Sequence, residues 1–299
     1  MIQGPLNKFA TAEEVRSAEF SAINKVLDQI AVRFDLADHS DLNDLRYPWS
    51  AGMLSKPAFY AARLWEYPYA ILAADLTPGI KVVDIGCGMT AFTIYLKDHA
   101  GCDVTGIDPD VFEAGLKYKA HGVSKEFIER TGIKFLKGDM TALPLESESQ
   151  DRAFSISVME HVPPDIRRQG MQEIARVLRP GGKAILTVDM SMWFQLNRPL
   201  DLVWESGLNF FGTVDLRWPT KRFGMFSDDP VKGVPADVFG MVLVKDGGVV
   251  ETQYRRGAEQ VEVVAPYLVS TLIPPPALDN RPLWRRFGSR IKRELRTAK

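Results

Sequence analysis

Strand-like and helix-like segments alternate between residues 81 and 189, and this alternation constrains the fold of the chain most strongly. The segments KVVDI, CDVTGID, IKFLKGD, DRAFSISV and KAILTVD have the length of strands, and TAFTIYLKDHA, VFEAGLKYKAHG and PDIRRQGMQEIARVL have helical periodicity, the last ended by Pro180-Gly181-Gly182. Strands that alternate with helices form a parallel sheet with helices on both faces. We therefore predict an α/β fold for this part of the chain.

The flanking segments extend this predicted core on both sides. Upstream, EEVRSAEFSAINKVLDQIAVRF predicts a helix, and SKPAFYAARLWEYPYAILAADL predicts one or two helices interrupted at Pro68. Downstream, PLDLVWESGL predicts a further helix. The segments NFFGTVDL and ADVFGMVLVKDGG predict the last two strands, which we expect to pair as a long hairpin.

Composition and charge exclude several classes of function. The formal net charge is −1, but residues 281–299 hold eight Lys or Arg and one Glu, so the rest of the chain carries −8. A nucleic-acid binder normally shows a basic face, so we expect no nucleic-acid partner for the body of the chain. The cysteines, Cys87 and Cys102, lie in predicted core elements, which argues against disulfides and favours a cytoplasmic location. The four histidines lie far apart in the sequence, so we expect no metal.

The stretch VVDIGCGMTAF predicts a ligand site at the end of the first strand of the alternation. Gly86 and Gly88 allow a tight turn and a close approach of the backbone to a ligand, and ligands of open α/β sheets bind at this edge. The spacing fits a dinucleotide turn and a methyl-donor turn equally well. Asp84 favours the methyl donor, because a carboxylate would repel a pyrophosphate but attract a sulfonium and an ammonium group.

Two further acidic residues follow later strands. Asp108 ends the second strand in TGIDPD, where a carboxylate can accept hydrogen bonds from both ribose hydroxyls of a cofactor. Asp139 follows the third strand in LKGDMTALP, and we expect it to face an adenine amine, with Met140 against the ring. Together with the glycine turn, these residues predict a nucleoside-containing cofactor.

Four motifs in register resemble the class I S-adenosylmethionine-dependent methyltransferases of the small-molecule kind. The motifs are VVDIGCGMTAF, VTGIDPD, KGDMTALPLESESQDRAFSISVMEHVP and RVLRPGGKAILTVD, and they span roughly residues 60–190. The resemblance implies a Rossmann-like, seven-stranded, mostly parallel sheet with an antiparallel last strand, and S-adenosyl-L-methionine as the cofactor. It places Asp84, Gly86, Cys87 and Gly88 around the methionine part, Asp108 and Pro109 at the ribose, and Asp139 and Met140 at the adenine.

The helix before the first strand supplies two more candidates for cofactor binding. The segment YAARLWEYP places Tyr60, Arg63 and Tyr67 on one helical face. We expect Arg63 to pair with the cofactor carboxylate and Tyr60 to close over the cofactor. The alternative is that Arg63 is a surface arginine whose stem covers apolar surface.

Glu160 and His161 follow the fourth strand in SISVMEHVPPD and are the candidate catalytic residues. His161 has an ordinary pKa of about 6.5, which suits the removal of a proton from an acceptor hydroxyl. The alternative, which we favour, is that His161 packs and forms hydrogen bonds locally. Ser157 is expected to line the cofactor through its backbone.

The methyl acceptor is expected to be a small molecule, a glycan or a glycolipid that is methylated at oxygen. Residues 190–235 are rich in aromatic and cationic side chains, which can stack on a sugar and bind a phosphate or a carboxylate, although at least half of them are expected in the core. We therefore predict an N-terminal helical cap at 1–55, a methyltransferase domain at 56–250 with an acceptor-binding lid at 190–235, and a C-terminal extension at 251–299.

The end of this extension, RPLWRRFGSRIKRELRTAK, predicts a basic amphipathic helix. Such a helix can contact the anionic inner face of a membrane, and the alternatives are a helix docked on the acidic body or a solvated tail. No apolar run of the sequence is long enough to cross a bilayer, and no signal peptide is recognised. Two other functions stay open: an NAD-dependent oxidoreductase and a non-catalytic methyltransferase-like partner protein.

Overall fold

The computed structural model describes residues 2, 4–34, 36, 57–111, 123–189, 199–216 and 238–245, with residues 12 and 57–61 described by their backbone alone. The strands are β1 Lys8–Phe9, β2 Lys81–Ile85, β3 Asp103–Asp108, β4 Lys134–Lys137, β5 Gln150–Ile156, β6 Leu178–Asp189, β7 Asn209–Phe210 and β8 Val238–Val244. The helices are α1 Ala12–Val15, α2 Ala18–Phe34, α3 Pro57–Ala73, α4 Ala91–Asp98, α5 Lys125–Thr131, α6 Pro164–Val177 and α7 Pro199–Ser206.

All eight described strands belong to one mixed sheet of order β4-β3-β2-β5-β6-β8-β1, with β7 also paired to β8. Strands β2 to β6 are parallel to their neighbours within this group. Strand β8 runs antiparallel to β6, β7 and β1. The predicted fold class is confirmed. The described sheet has one strand more than the seven expected, because residues near the start of the chain contribute β1.

Helices cover both faces of the sheet. Apolar side chains of α2, α3 and α4 form one buried cluster with one set of strand residues, and those of α6 and α7 form a second cluster with the other set. Strand β6 shows the division, because Ile185 belongs to the first cluster while Leu186 and Val188 belong to the second. This alternation follows from the two-residue period of a strand that is buried on both faces.

Helix α3 lies unusually close to the sheet. A Cβ atom added to Gly240 of β8 would lie 2.4 Å from Tyr69 Cε1 and 2.7 Å from Trp65 Cη2, so only glycine fits there. The expected interruption at Pro68 is absent, because α3 runs continuously through this residue. Pro68 lies between the fully buried Trp65 and Tyr69, whose packing on the sheet offsets the cost of about 3 kcal/mol for a proline inside a helix.

The N-terminal residues close the edge of the sheet at β8. Strand β1 pairs with one half of this edge, Lys8 with Gly240 and Phe9 with Phe239, and β7 pairs with the other half. Between them, the buried Asn7 accepts a hydrogen bond from Val242 N at 2.7 Å and donates to the carbonyls of Phe211 and Thr213. The predicted pairing of the last two strands is confirmed for β7 and β8, over two residue pairs.

Several predictions differ from the structure or lie outside its described part. The N-terminal helical segment is two helices, and α5 was not predicted. Helix α6 ends at Val177, and β6 already includes the Pro-Gly-Gly turn. All but the first residue of the predicted helix at 111–122, most of the predicted lid at 190–235 and all of the basic tail lie outside the described residues. Among the described helices, none combines the length and the apolar character needed to cross a membrane.

Candidate functional site

The glycine turn after β2 lies at the carboxyl edge of the parallel strands. Gly86 N and Cys87 N both donate to Ile107 O, at 2.8 and 3.3 Å, which joins the turn to β3. Gly86 has a φ of 71° and Gly88 a φ of 52°. A Cβ atom on Gly86 would lie 2.7 Å from Val158 Cγ2. The turn therefore requires glycine at Gly86 for its backbone conformation and for its approach to the loop after β5.

Asp108 ends β3 and is held against this turn by two backbone donors. Gly88 N donates to Asp108 Oδ2 at 3.1 Å, and Asp110 N donates to Asp108 Oδ1 at 2.9 Å. Burial raises the pKa of Asp108, and the two backbone hydrogen bonds act in the opposite direction. The carboxylate thus has a fixed orientation at the end of the strand. The neighbouring Pro109 is exposed.

Asp84 is buried between the glycine turn and the first turn of α4. Its Oδ2 accepts a hydrogen bond from Thr93 Oγ1 at 2.8 Å, and Thr90 is the N-cap of that helix, as predicted. Burial raises the pKa of Asp84 to about 7; the Thr93 hydrogen bond and the charge of Arg63 lower it, and the charge of Asp108 raises it. A cation beside this carboxyl would favour its charged form. A cationic ligand group at Asp84 stays a prediction, and the burial of this carboxyl is compatible with it.

The residues predicted to surround an adenine have different environments. Asp139 is exposed, and its Oδ1 accepts a hydrogen bond from Thr141 N at 2.8 Å. The side chain of Met140 packs against α6, since a Cβ atom on Gly170 would lie 2.9 Å from Met140 Sδ. Asp139 is thus available at this edge, while Met140 has a packing contact that the sequence did not predict.

Arg63 lies on α3 beside a buried acidic residue. Its Nη1 lies 2.6 Å from Glu66 Oε2, and its Cζ lies 5.6 Å from the centroid of the Tyr67 ring. The Arg63 side chain is 23% exposed, so it is partly accessible despite this pairing. Sequence analysis missed Glu66, although its position three residues after Arg63 on a predicted helix was a usable signal. The side chain of Tyr60 lies outside the described part of the structure.

The two candidate catalytic residues differ sharply in exposure. Glu160, in a short 3₁₀ helix at 159–161, is fully buried, whereas the His161 side chain is 50% exposed. Glu160 Oε1 accepts hydrogen bonds from Ser157 Oγ at 2.8 Å and from Asp189 N at 3.1 Å. Its Oε2 is buried and has no hydrogen-bond partner among the described residues. His161 Nε2 lies 3.9 Å from Glu160 Oε1.

The environment of Glu160 suits a group that exchanges a proton near neutral pH. Burial is the largest cause that raises the pKa of Glu160 to about 7, and the negative charge of Glu66 raises it further, while hydrogen bonds such as that from Ser157 lower it. Ser157 has a φ of 57°, a strained value for a residue other than glycine. The strained backbone directs its hydroxyl to Glu160, a contact that the sequence did not predict.

The residue types found at the turn are those that the predicted cofactor, S-adenosyl-L-methionine, would need. The turn at Gly86 leaves room only for backbone, and two carboxylates, Asp84 and Asp108, converge on it. Within the described ranges, no group of three or more His, Cys, Asp or Glu side chains is arranged to hold a metal ion. The arrangement can bind a cationic ligand at the turn and can move a proton at Glu160.

Comparisons with known proteins agree with this geometry. The profile of a family described as "Methyltransferase domain" matches residues 83–186. The chain is 37% identical over 121 residues to "Methyltransferase GfsG" of Streptomyces halstedii, which covers 40% of this chain and 41% of that protein. It is 32% identical over 111 residues to "Sterol 24-C-methyltransferase ERG6B" of Gibberella zeae, which covers 36% of this chain and 27% of that protein. The chain therefore spans less than half the length of these two relatives.

A solved structure extends the comparison to the fold. Geranyl diphosphate C-methyltransferase from Streptomyces coelicolor, crystallised with Mg²⁺, geranyl-S-thiolodiphosphate and S-adenosyl-L-homocysteine, superposes with a TM-score of 0.51. The alignment covers 77% of this chain and 99% of that chain, at 11% identity. At this identity the likeness concerns the fold alone, and the fold agrees with the sheet described above.

Proposed function

Because residues 83–186 match a family described as "Methyltransferase domain", we propose that the chain is a class I S-adenosylmethionine-dependent methyltransferase that transfers a methyl group from S-adenosyl-L-methionine to a small-molecule acceptor. The observation that carries the proposal is the buried Asp84 beside the glycine turn, because burial raises the pKa of this carboxyl to about 7 and a cation beside it would favour its charged form. A sulfonium and an α-ammonium group supply that positive charge, whereas the pyrophosphate of NAD would be repelled.

We assign the cofactor contacts residue by residue. Asp84, Gly86, Cys87 and Gly88 would hold the methionine part, with Arg63 at its carboxylate. The remaining assignments are Asp108 and Pro109 at the ribose, Asp139 and Met140 at the adenine, Ser157 along the cofactor, and Tyr60 as a closing side chain. The support is strongest for Asp84 and Asp108, because both carboxylates are oriented at the turn by hydrogen bonds.

Glu160 is the proposed proton acceptor in the reaction. S-adenosylmethionine supplies an already activated methyl group, so the protein has to align the acceptor, exclude water and accept one proton. Glu160 Oε1 is held by Ser157 and Asp189, and Oε2, for which the described residues supply no partner, would accept a hydrogen bond from an acceptor hydroxyl. As the acceptor oxygen bonds to the methyl carbon, the bond from that carbon to the sulfonium sulfur would break to leave S-adenosylhomocysteine, and Glu160 would accept the proton of the hydroxyl. His161, which is half exposed, is assigned a supporting hydrogen-bonding role.

We propose a neutral hydroxyl as the methylated group, on a small molecule, a glycan or a glycolipid. The buried carboxyl groups of Glu160 and Asp189 belong to neighbouring residues, since Asp189 N donates to Glu160 Oε1, and their negative charge would disfavour an anionic acceptor atom such as a carboxylate oxygen. Residues 190–235 are the proposed acceptor-binding lid of a methyltransferase domain at 56–250. An acidic group further along the acceptor would meet the cationic side chains of the lid.

Carbon methylation is the second candidate. One of the relatives described above carries the name sterol 24-C-methyltransferase and is 32% identical over 111 residues. A buried carboxylate such as Glu160 can also stabilise a cation that forms on the acceptor when an alkene attacks the methyl group, and can then accept a proton from carbon. Mass spectrometry of the product separates the two, because an O-methyl group is released by ether cleavage and a C-methyl group is not.

Two measurements test the proposal in order. Calorimetric titration with S-adenosylhomocysteine and with NAD should show binding of the first ligand only, and the reverse result would refute the cofactor assignment. Labelled S-adenosylmethionine is then incubated with extracted lipids, polysaccharides and hydroxylated metabolites. Glu160→Gln should lower methyl transfer to the acceptor so identified by about 10²- to 10⁴-fold while cofactor affinity is kept.

The control for this variant is Asp151→Asn. Asp151 is a buried carboxylate near the amino ends of the parallel strands, away from the glycine turn at their carboxyl ends. There it pairs with Arg179 and accepts a hydrogen bond from Lys81 N. The Asp151→Asn variant should keep both cofactor binding and turnover at the wild-type level. Cofactor binding without turnover on any acceptor would favour a non-catalytic methyltransferase-like partner protein.

A further inference from the structure

Glu66 is a fully buried carboxylate to which the proposed reaction assigns no role of its own. Its Oε2 lies 2.6 Å from Arg63 Nη1, and its Oε1 accepts a hydrogen bond from Thr187 Oγ1 at 2.9 Å. Removing a carboxylate from water costs several kcal/mol unless partners compensate. Here the Arg63 guanidinium on one side and the Thr187 hydroxyl on the other compensate this cost.

The Thr187 contact connects Glu66 to the strand that holds Glu160. Thr187 and Asp189 are two residues apart on β6, so their side chains lie on the same face of the sheet. Asp189 N donates to Glu160 Oε1 at 3.1 Å, and Ser157 N donates to Thr187 O at 2.9 Å. Glu66 therefore lies between Arg63, at the proposed cofactor carboxylate, and the elements that orient Glu160.

Charge couples these groups as well as hydrogen bonds. The negative charge of Glu66 raises the pKa of Glu160, and the positive charge of Arg63 lowers the pKa of Asp84. The other groups near Glu160 are the hydroxyl of Ser157, the backbone of Asp189 on β6, and His161 in its own 3₁₀ helix. Glu66 thus contacts Arg63 directly and acts on Glu160 through its charge.

We propose that Glu66 is a positioning residue of the methyl-transfer site, which holds Arg63 toward the cofactor carboxylate and places a fixed negative charge behind Glu160. The proposal rests on the methyltransferase function proposed above and extends it to a residue on α3. The competing role for Glu66 is structural: it would only fasten α3 to β6 through Thr187.

Cofactor affinity distinguishes the two roles. Glu66→Gln keeps the volume of the side chain and an oxygen that can accept from Thr187, but it removes the charge that holds Arg63. We expect its affinity for S-adenosylhomocysteine, measured by calorimetry, to fall by about tenfold, as is common for directly coupled residues. In an Arg63→Gln background the same substitution should change the affinity little, because the residue through which Glu66 acts is already lost. Equal losses in both backgrounds would overturn the proposal.

The pH dependence of methyl transfer provides a second readout. Glu160 must be ionised to accept a proton, so the rate falls on the acid side of its pKa. Without the negative charge of Glu66, the pKa of Glu160 is lower. The acid limb, which is the part of the pH profile where the rate falls toward low pH, should therefore move to lower pH in Glu66→Gln. A purely structural role would lower the rate at every pH and leave the limb in place, which would also overturn the proposal.

Asp151→Asn is the matched control, since it also converts a buried, arginine-paired carboxylate to an amide, at the far edge of the sheet. Asp151→Asn should leave the affinity for S-adenosylhomocysteine and the acid limb of the rate profile unchanged.

If Glu66→Gln does not fold, as judged by thermal unfolding, Thr187→Val replaces it. This variant loosens Glu66 at nearly constant volume and must lower the affinity for S-adenosylhomocysteine, or the proposal fails. Absence of S-adenosylhomocysteine binding to the wild type would overturn the methyltransferase proposal itself. Wild-type behaviour of Glu66→Gln would overturn only the role of Glu66.

Discussion

Asp84→Asn provides a quantitative test of the electrostatics at the glycine turn. Burial raises the pKa of Asp84 to about 7, so below that pH most of the protein without ligand carries a neutral carboxyl. If the cationic part of S-adenosylmethionine binds to the carboxylate form, binding has to release a proton under these conditions. The apparent affinity must then increase with pH, because fewer molecules need to lose the proton.

The expected size of this effect follows from the pKa. With a pKa of about 7, the ionised fraction is about 3% at about pH 5.5 and about 75% at about pH 7.5, so the affinity should rise by roughly 25-fold, or about 2 kcal/mol, between them. Asp84→Asn cannot ionise and should lose most of this dependence. Asn retains an oxygen that can accept the hydrogen bond from Thr93, so the fold should persist.

Calorimetric titrations with S-adenosylmethionine, without a methyl acceptor, at several pH values and in buffers of different ionisation enthalpy measure both the affinity and the number of protons released. Asp151→Asn is the control and should keep the wild-type pH dependence. An affinity of the wild type that does not vary with pH would refute the reasoning. The same conclusion would follow if Asp84→Asn kept the full slope, because another group would then be the source.

Three further predictions concern the stability of the fold and the conformation of the turn. In the folded protein Asp84 binds its proton more tightly than an aspartate with the ordinary pKa of 3.8, so the free energy of unfolding of the wild type should fall as pH rises from about 4 to 7. Asp84→Asn should avoid this loss, which amounts to up to about 4 kcal/mol in urea unfolding. Parallel plots of the free energy of unfolding against pH for the two proteins would contradict this. Gly86→Ala, which combines a φ of 71° with a clash against Val158, should lose cofactor affinity, whereas Gly79→Ala, at a φ of 83° with open space around it, should lose only stability. Gly240→Ala should lower the free energy of unfolding by about 1–3 kcal/mol through overpacking against α3, and an unchanged urea midpoint would show that α3 can move away.

The features that the sequence predicted correctly depend on short-range patterns. Strand β2 is found at the predicted residues Lys81–Ile85. Thr90 caps the following helix because its side-chain oxygen accepts from Thr93 N, a contact within one turn. Asp108 ends β3 at the edge where the glycine turn lies. Each of these depends on fewer than about ten neighbouring residues, or on the general rule that places ligands at the carboxyl edge of parallel strands.

The features that the sequence did not predict depend on distant contacts. Strand β1 has only two residues, and its assignment follows from pairing with β8, more than two hundred positions later. Glu66 gains its importance from Thr187, which is 121 residues away. The raised pKa of Asp84 is set mainly by burial, which no local pattern encodes. Pro68 shows the converse case, since tertiary packing overrides a strong local signal.

The closure of the sheet edge by β1 has a consequence for the order of folding during synthesis. Lys8 and Phe9 leave the ribosome early, but their partners Gly240 and Phe239 are made only after β2 to β6 are complete. Until then β6 has an open edge, and Trp65 and Tyr69 of α3 lack the glycine surface against which they pack. An open strand edge beside uncovered aromatic rings is a template for association with other chains. We therefore expect the nascent chain to be most prone to aggregation, and most dependent on chaperones, just before residues 238–244 emerge.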